Sequence, residues 1–251
     1  MPRLFLGAEM NQKAIEQAKA YVKDVFSGDS SGHDMWHTMR VYQMALRIGE
    51  EEGADLEVVA LASLLHDVDD EKLSPDTTKG LKRARAFMES AGIEEDTQER
   101  ICQVIEEISF HKRGLTPPST LEGKVVQDAD RLDAMGALGI ARAFAFGGSR
   151  GRSIYEPEEV WREGLAEEKD GEIEQEGGEG KVEQGENEEE RKEGKEKEEG
   201  KQGSTVEHFY EKLFLLKEGL NTTTGKRIGR ERDAFMHAFL DRFMMEWEGK
   251  A

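Results

Sequence analysis

LEVVALASLLHDVDD, residues 56–70, decides the fold. Leu56 to Leu65 is nearly all apolar and long enough to predict a buried helix, and it closes on a His-Asp pair, His66-Asp67. Working outward, apolar residues recur at helical spacing on both sides. Upstream are Ala14, Ala18, Tyr21, Val22 and Val25, then Val41, Ala45 and Ile48; downstream are Phe87 with Met88, then Ile101, Val104, Ile105 and Ile108. Leu121 to Phe146 reads as two helices bent near Gly136 or Gly139, because glycine weakens a helix interior. Further on, Phe209, Leu213, Leu216 and Leu220 form another stripe, followed by Phe235, Phe239, Phe243 and Trp247. Runs of alternating β-branched residues and Asn-Gly hairpin signals are absent, and Pro75, Pro117, Pro118 and Pro157 all fall between helices. The expectation is an all-α helical bundle.

The composition is polar: 36% hydrophobic against 35% charged residues over 251 positions, with a formal net charge of -19. Such a charge argues against nucleic-acid and anionic-membrane binding, both of which need a basic surface. Much of it is local. Glu167 to Gln202 holds 16 acidic and 7 basic residues, a net of -9, with Ile173 and Val182 as its only aliphatic residues and seven glycines. A stretch like this cannot bury enough apolar surface to offset the entropy of ordering. We therefore expect residues 167–202 to be a disordered acidic insertion, with a basic protein partner as its candidate ligand. Residues 1–166 and 203–251 are expected to form one helical domain. A single cysteine, Cys102, excludes an intrachain disulfide and a thiolate metal cluster, and fits an intracellular, cytoplasmic protein. The Leu4-Phe5-Leu6 stretch is too short for a signal-peptide core, and no segment suggests a membrane span.

Three stretches carry unusual chemistry: SGHDMWHTMRV (31–41), LLHDVDDEK (64–72) and VVQDADRLDAMGA (125–137). Asp128, Asp130 and Asp133, set between Val126 and Met135, cannot all face water. A buried ionised carboxylate must be paired, protonated or metal-bound. Imidazole and carboxylate donors together suit one divalent transition metal (Mn, Co, Ni, Fe or Zn) better than Ca or Mg.

In this order the stretches resemble the HD-domain phosphohydrolase superfamily. The resemblance lies in His37 of HTMRV, His66-Asp67 of LLHDV and Asp130 of ADRL. The GHDxxHxxRV opening, HDVDD, QDADRLDAMGA, GIARAFAFGG and HFYEKL are similar to a narrower bacterial-type subgroup with nucleoside triphosphate pyrophosphohydrolase activity. The resemblance implies an HD-domain helical bundle with His37, His66, Asp67 and Asp130 as metal ligands. Asp128 competes for the last place, but two residues along a helix turn a side chain by about 200°, so both cannot easily serve one ion. Asp70, on the face of His66 and three residues after Asp67, is the implied group that orients or deprotonates water, with Asp67 also catalytic. Asp69 and Glu71 read as solvated loop acids. Asp34 reads as an N-cap or a partner fixing a ligand tautomer.

For the substrate phosphates, His33, Arg40, Arg131, His208 and Lys212 are the candidates, with Lys79, Lys82 and Arg152 behind them. The glycines at 147, 148 and 151 read as a helix stop. Together these readings predict a metal-dependent phosphohydrolase acting on a small-molecule nucleotide. The alternative is a nucleotide- or metal-binding regulatory module without turnover that recruits a partner through the acidic tract.

Overall fold

The computed structural model describes residues 11–27, 35–70, 80–108, 117–157 and 203–251; the acidic tract, His33, Asp34, Glu71 and Lys79 lie outside them. The apolar run is helix α3, Leu56–Leu65, and every residue from Val58 to Leu65 is buried. Its neighbours are α1 (Gln12–Val25), α2 (Met35–Glu52), α5 (Glu95–Ile108) and α6 (Leu121–Asp133). Surrounded in this way, α3 has no solvent face, which is why its sequence shows no polar stripe. Each Leu or Val buried there contributes about 1.5–3 kcal/mol. The helix starts where the Asp55 carboxylate accepts the N–H groups of Glu57 (3.1 Å) and Val58 (3.4 Å), and Arg100 of α5 donates to the same carboxylate at 2.9 Å.

Helix α4 spans Lys82–Ser90, α7 Gly136–Ser149 and α8 Thr223–Trp247. No strand occurs among the described residues. The predicted break between α6 and α7 falls at Ala134–Met135, followed by Gly136 at φ +69°, a conformation that favours glycine. The described residues fall into two compact units, one drawn from Met1–Arg142 and Leu213–Ala251, the other from Ala143–Lys212.

Two stripes behave differently from their sequence pattern. The Phe209 to Leu220 stretch forms a π-turn, Phe209–Leu213, and a 3₁₀ segment, Phe214–Gly219, rather than an α-helix. Side chains of α6 set its end: Arg131 donates to the Gly219 carbonyl, and Asp128 takes the N–H groups of Asn221 and Thr222, both at 2.8 Å. On α8 the buried face is Ile228, Asp233, Met236 and Leu240, not the aromatic stripe. Phe235 and Trp247 stay half exposed, while Phe239, Phe243 and Trp247 stack along the helix with centroids 6.3 and 5.9 Å apart. None of the described helices is long and apolar enough to cross a membrane.

Candidate metal centre

His37 lies in the first turn of α2 on the face that also buries Val41 and Ile48, so the helix register turns its ring inward. His66 follows the last residue of α3, and Asp67 comes next in the turn that leaves it. Helix α6 supplies Asp130. Ligand atoms of His37, His66 and Asp67, all buried, lie within 4.8 Å of one another. Nε2 of His37 is 3.6 Å from Asp67 Oδ2 and 3.5 Å from Asp130 Oδ1, and Nε2 of His66 is 3.2 Å from Asp67 Oδ2.

The other nitrogen of each ring is already engaged. Nδ1 of His66 lies 2.8 Å from the Ser63 carbonyl, which can only accept, so Nδ1 is the donor. Nδ1 of His37 lies 2.7 Å from Asp133 Oδ2. Asp133 is ionised: burial opposes its charge, but hydrogen bonds from His37 and Arg40 and the charge of Arg142 hold its carboxyl well below the usual range. With Nδ1 engaged in this way, both rings turn Nε2 toward carboxylate oxygens. That arrangement is repulsive unless a cation or a proton sits between them. The electrostatics agree: burial pushes the His66 imidazole down, yet the Asp67 charge and hydrogen bond, with Asp130, carry it up to about 9. Two imidazoles and two carboxylates fit a divalent transition metal, whose charge would satisfy all four.

Asp128, the competitor of Asp130, is turned away. It is fully buried and accepts four hydrogen bonds, from N and Nδ2 of Asn221 (2.8 and 2.9 Å) and from N and Oγ1 of Thr222 (2.8 and 2.7 Å). Close approach is possible because residue 225 is glycine; a Cβ there would lie 2.3 Å from Asp128 Oδ2. Asp70 is half-buried at the end of the turn, with its N–H on the Asp67 carbonyl at 3.1 Å.

Of the expected phosphate-binding residues, Arg40 is engaged by Asp133 through Nε (2.7 Å) and Nη2 (3.0 Å). Arg131 donates to the Gly219 carbonyl. Lys82 is exposed at the start of α4. In the smaller unit His208, Lys212 and Arg152 do come together: burial, then the charges of Lys212 and Arg152, press the His208 imidazole below its ordinary value.

Asp69 corrects the sequence reading. It is buried, not solvated, and its carboxylate accepts the N–H groups of Arg83 (3.0 Å) and Ala84 (2.9 Å), capping α4 from 14 and 15 residues upstream. Ser63 and Arg142 were not singled out from the sequence, and Asp133 was read only as a carboxylate in need of a partner; Arg142 also donates to it. For Asp133 a signal existed: His37 and Arg40 are three apart on α2, as Asp130 and Asp133 are on α6, so matched faces of two helices present both pairs.

Residues 36–135 match the model of the HD domain. The chain is 34% identical over 231 residues to YpgQ of Bacillus subtilis (strain 168), covering 91% of each chain. The crystal structure of an HD-superfamily hydrolase from Bacillus thuringiensis superposes with a TM-score of 0.69 at 33% identity, over 94% of this chain and 98% of that one. The structure of Bacillus subtilis YpgQ in complex with ADP gives 0.64 at 30% identity, over 94% and 95%.

Proposed function

The chain belongs to the HD domain family and is a metal-dependent phosphohydrolase; from that premise we propose that its substrate is a nucleotide, with pyrophosphate release from a nucleoside or deoxynucleoside triphosphate as the reaction. The observation that carries the reading is the convergence of His37 Nε2, His66 Nε2 and Asp67. The ADP complex of YpgQ supports a nucleotide ligand.

In this reading His37, His66, Asp67 and Asp130 hold one divalent transition metal. When bound, the metal supplies Lewis acidity toward the phosphoryl group and acidifies water at the site. Asp133 and the Ser63 carbonyl keep both imidazoles in the tautomer that presents Nε2. Asp67 is fixed between the two rings. Asp70 has the role of orienting the attacking water and taking its proton, within reach directly or through one bridging water. His208 and Lys212, further candidates for phosphate groups, lie with Arg152 in the smaller unit. His33, Arg40 and Arg131 were the other candidates; two are held by Asp133 and Gly219, and His33 lies outside the described residues.

The test is a screen of nucleoside mono-, di- and triphosphates with Mn, Co or Ni, reading phosphate and pyrophosphate separately. Wild type should release pyrophosphate, and Asp67→Ala should lose at least about a thousandfold, as expected when a central electrostatic element is removed. Equal activity in the two proteins, or release of monophosphate alone, overturns the reading.

A further inference from the structure

A cavity of about 310 Å³ lies behind the metal cluster, on the Nδ1 side of His37. Its walls include Arg40, Gln43 and Arg47 from α2, Asp133 from α6 and Arg232 from α8. Positions 40, 43 and 47 share one helix face, so α2 lines the cavity with two guanidinium groups about two turns apart. Three arginines thus meet one carboxylate, and that carboxylate already accepts from Arg40, His37 and Arg142. Arg47 has a long, half-exposed ion pair with Glu51, at 3.7 Å. Arg232 donates to the Leu132 carbonyl, a neutral partner. Burial lowers the Arg232 guanidinium from its ordinary value; Asp133 opposes this and Arg47 adds to it, so the two cations feel each other across the space. The absence of a side chain at Gly136 keeps this arrangement, since a Cβ would press on the Arg232 stem at 3.1 Å.

An excess of guanidinium charge in a concave site is notable in a chain of net charge -19. Guanidinium forks match phosphoryl oxygens, and the amide of Gln43 adds a neutral donor. The volume sits at the lower end of the roughly 300–1,000 Å³ typical of ligand pockets, which suits a phosphate or pyrophosphate better than a whole nucleotide. We propose that this cavity is a second anion site, separate from the metal cluster, that takes a small phosphoryl anion, and that its occupancy is transmitted to His37 through Arg40 and Asp133. An anion drawing on Arg40 loosens its hold on Asp133, the residue that orients the His37 ring. The coupling rests on reading His37 as a metal ligand; the anion site does not.

The experiment titrates inorganic phosphate and, separately, pyrophosphate into the full chain with metal removed by chelation and dialysis, followed by calorimetry. Wild type should bind one anion, Arg47→Gln and Arg232→Gln should weaken binding by about tenfold or more, and Asp67→Ala should leave it intact. Arg47 is largely exposed, so its variant tests the site even if Arg232→Gln fails to fold. Unchanged affinity in Arg47→Gln, no binding to wild type, or loss confined to Asp67→Ala overturns the anion site. For the coupling, phosphate should shift the ring ¹⁵N resonances of His37 in wild type and not in Arg47→Gln. Binding without such a shift overturns the coupling while leaving the anion site and the hydrolytic reading standing.

Discussion

Asp133 does more for the cluster than its position outside it suggests. Its carboxylate receives His37, Arg40 and Arg142 and so fixes which nitrogen of His37 faces Asp67 and Asp130. Asp133→Asn keeps the shape but removes the charge that favours the Nδ1–H tautomer. Mn affinity measured by competition with a chelating dye should fall about 10–100-fold, the usual effect of losing such a partner. Unchanged affinity would show that the ring needs no anchor. In the smaller unit, His208 has a folded pKa below its ordinary value because burial and two cations disfavour its charged form. The unfolded chain takes up that proton more readily, so this contribution to stability is present above about pH 6.5 and is lost as pH falls below it. The Tm of wild type should therefore drop toward that of His208→Gln between about pH 7 and pH 5. The ligand residues themselves were legible in sequence because His37, His66-Asp67 and Asp130 each stand in a short motif. The side-chain partners of Asp133 were not, since Arg40 lies 93 residues away and nothing local links the two.

At the scale of elements, α6 serves two neighbours with carboxylates two residues apart. Asp130 turns to the cluster, and Asp128 to the start of α8. Asp128→Ala would strand the N–H groups of Asn221 and Thr222, and should destabilise the protein by about 3 kcal/mol in urea unfolding. Mn affinity of the folded variant should stay within about twofold of wild type, because Asp130 is untouched; a large loss would mean that Asp128 reaches the ion. The helices α1, α2, α3 and α5 and the break before α7 were readable from periodicity and glycine. The π-turn and 3₁₀ segment were not. Their apolar spacing mimics an α-helix, and what ends them is a distant carboxylate and guanidinium on α6. Asp69 escaped for a similar reason, as its partners at Arg83 and Ala84 lie 14 and 15 residues further along the chain.

For the whole molecule, the donors in the cluster among the described residues come from α2, the end of α3 and α6. Deleting 167–202 should leave Mn affinity and the metal-dependent rise in Tm unchanged, with stabilisation of about 2.7 kcal/mol at a hundredfold excess over Kd. A weaker response in the deletion variant would tie the acidic tract to the metal. Most of what the sequence revealed at this scale was class: all-helical, with strongly unequal charge along the chain. How the chain divides into two compact units depends on packing that no single stretch encodes.

The Asp128 clamp also has a meaning in time. During synthesis, residues 36–135, which hold every donor of the cluster, emerge before Asn221 and Thr222 exist. Until those residues arrive, on the order of ten seconds later at ~5–20 residues per second, Asp128 lacks these four hydrogen bonds. The nascent segment thus carries a built-in delay: the buried Asp128 carboxylate of α6 gains these partners only once Asn221 and Thr222 have been made.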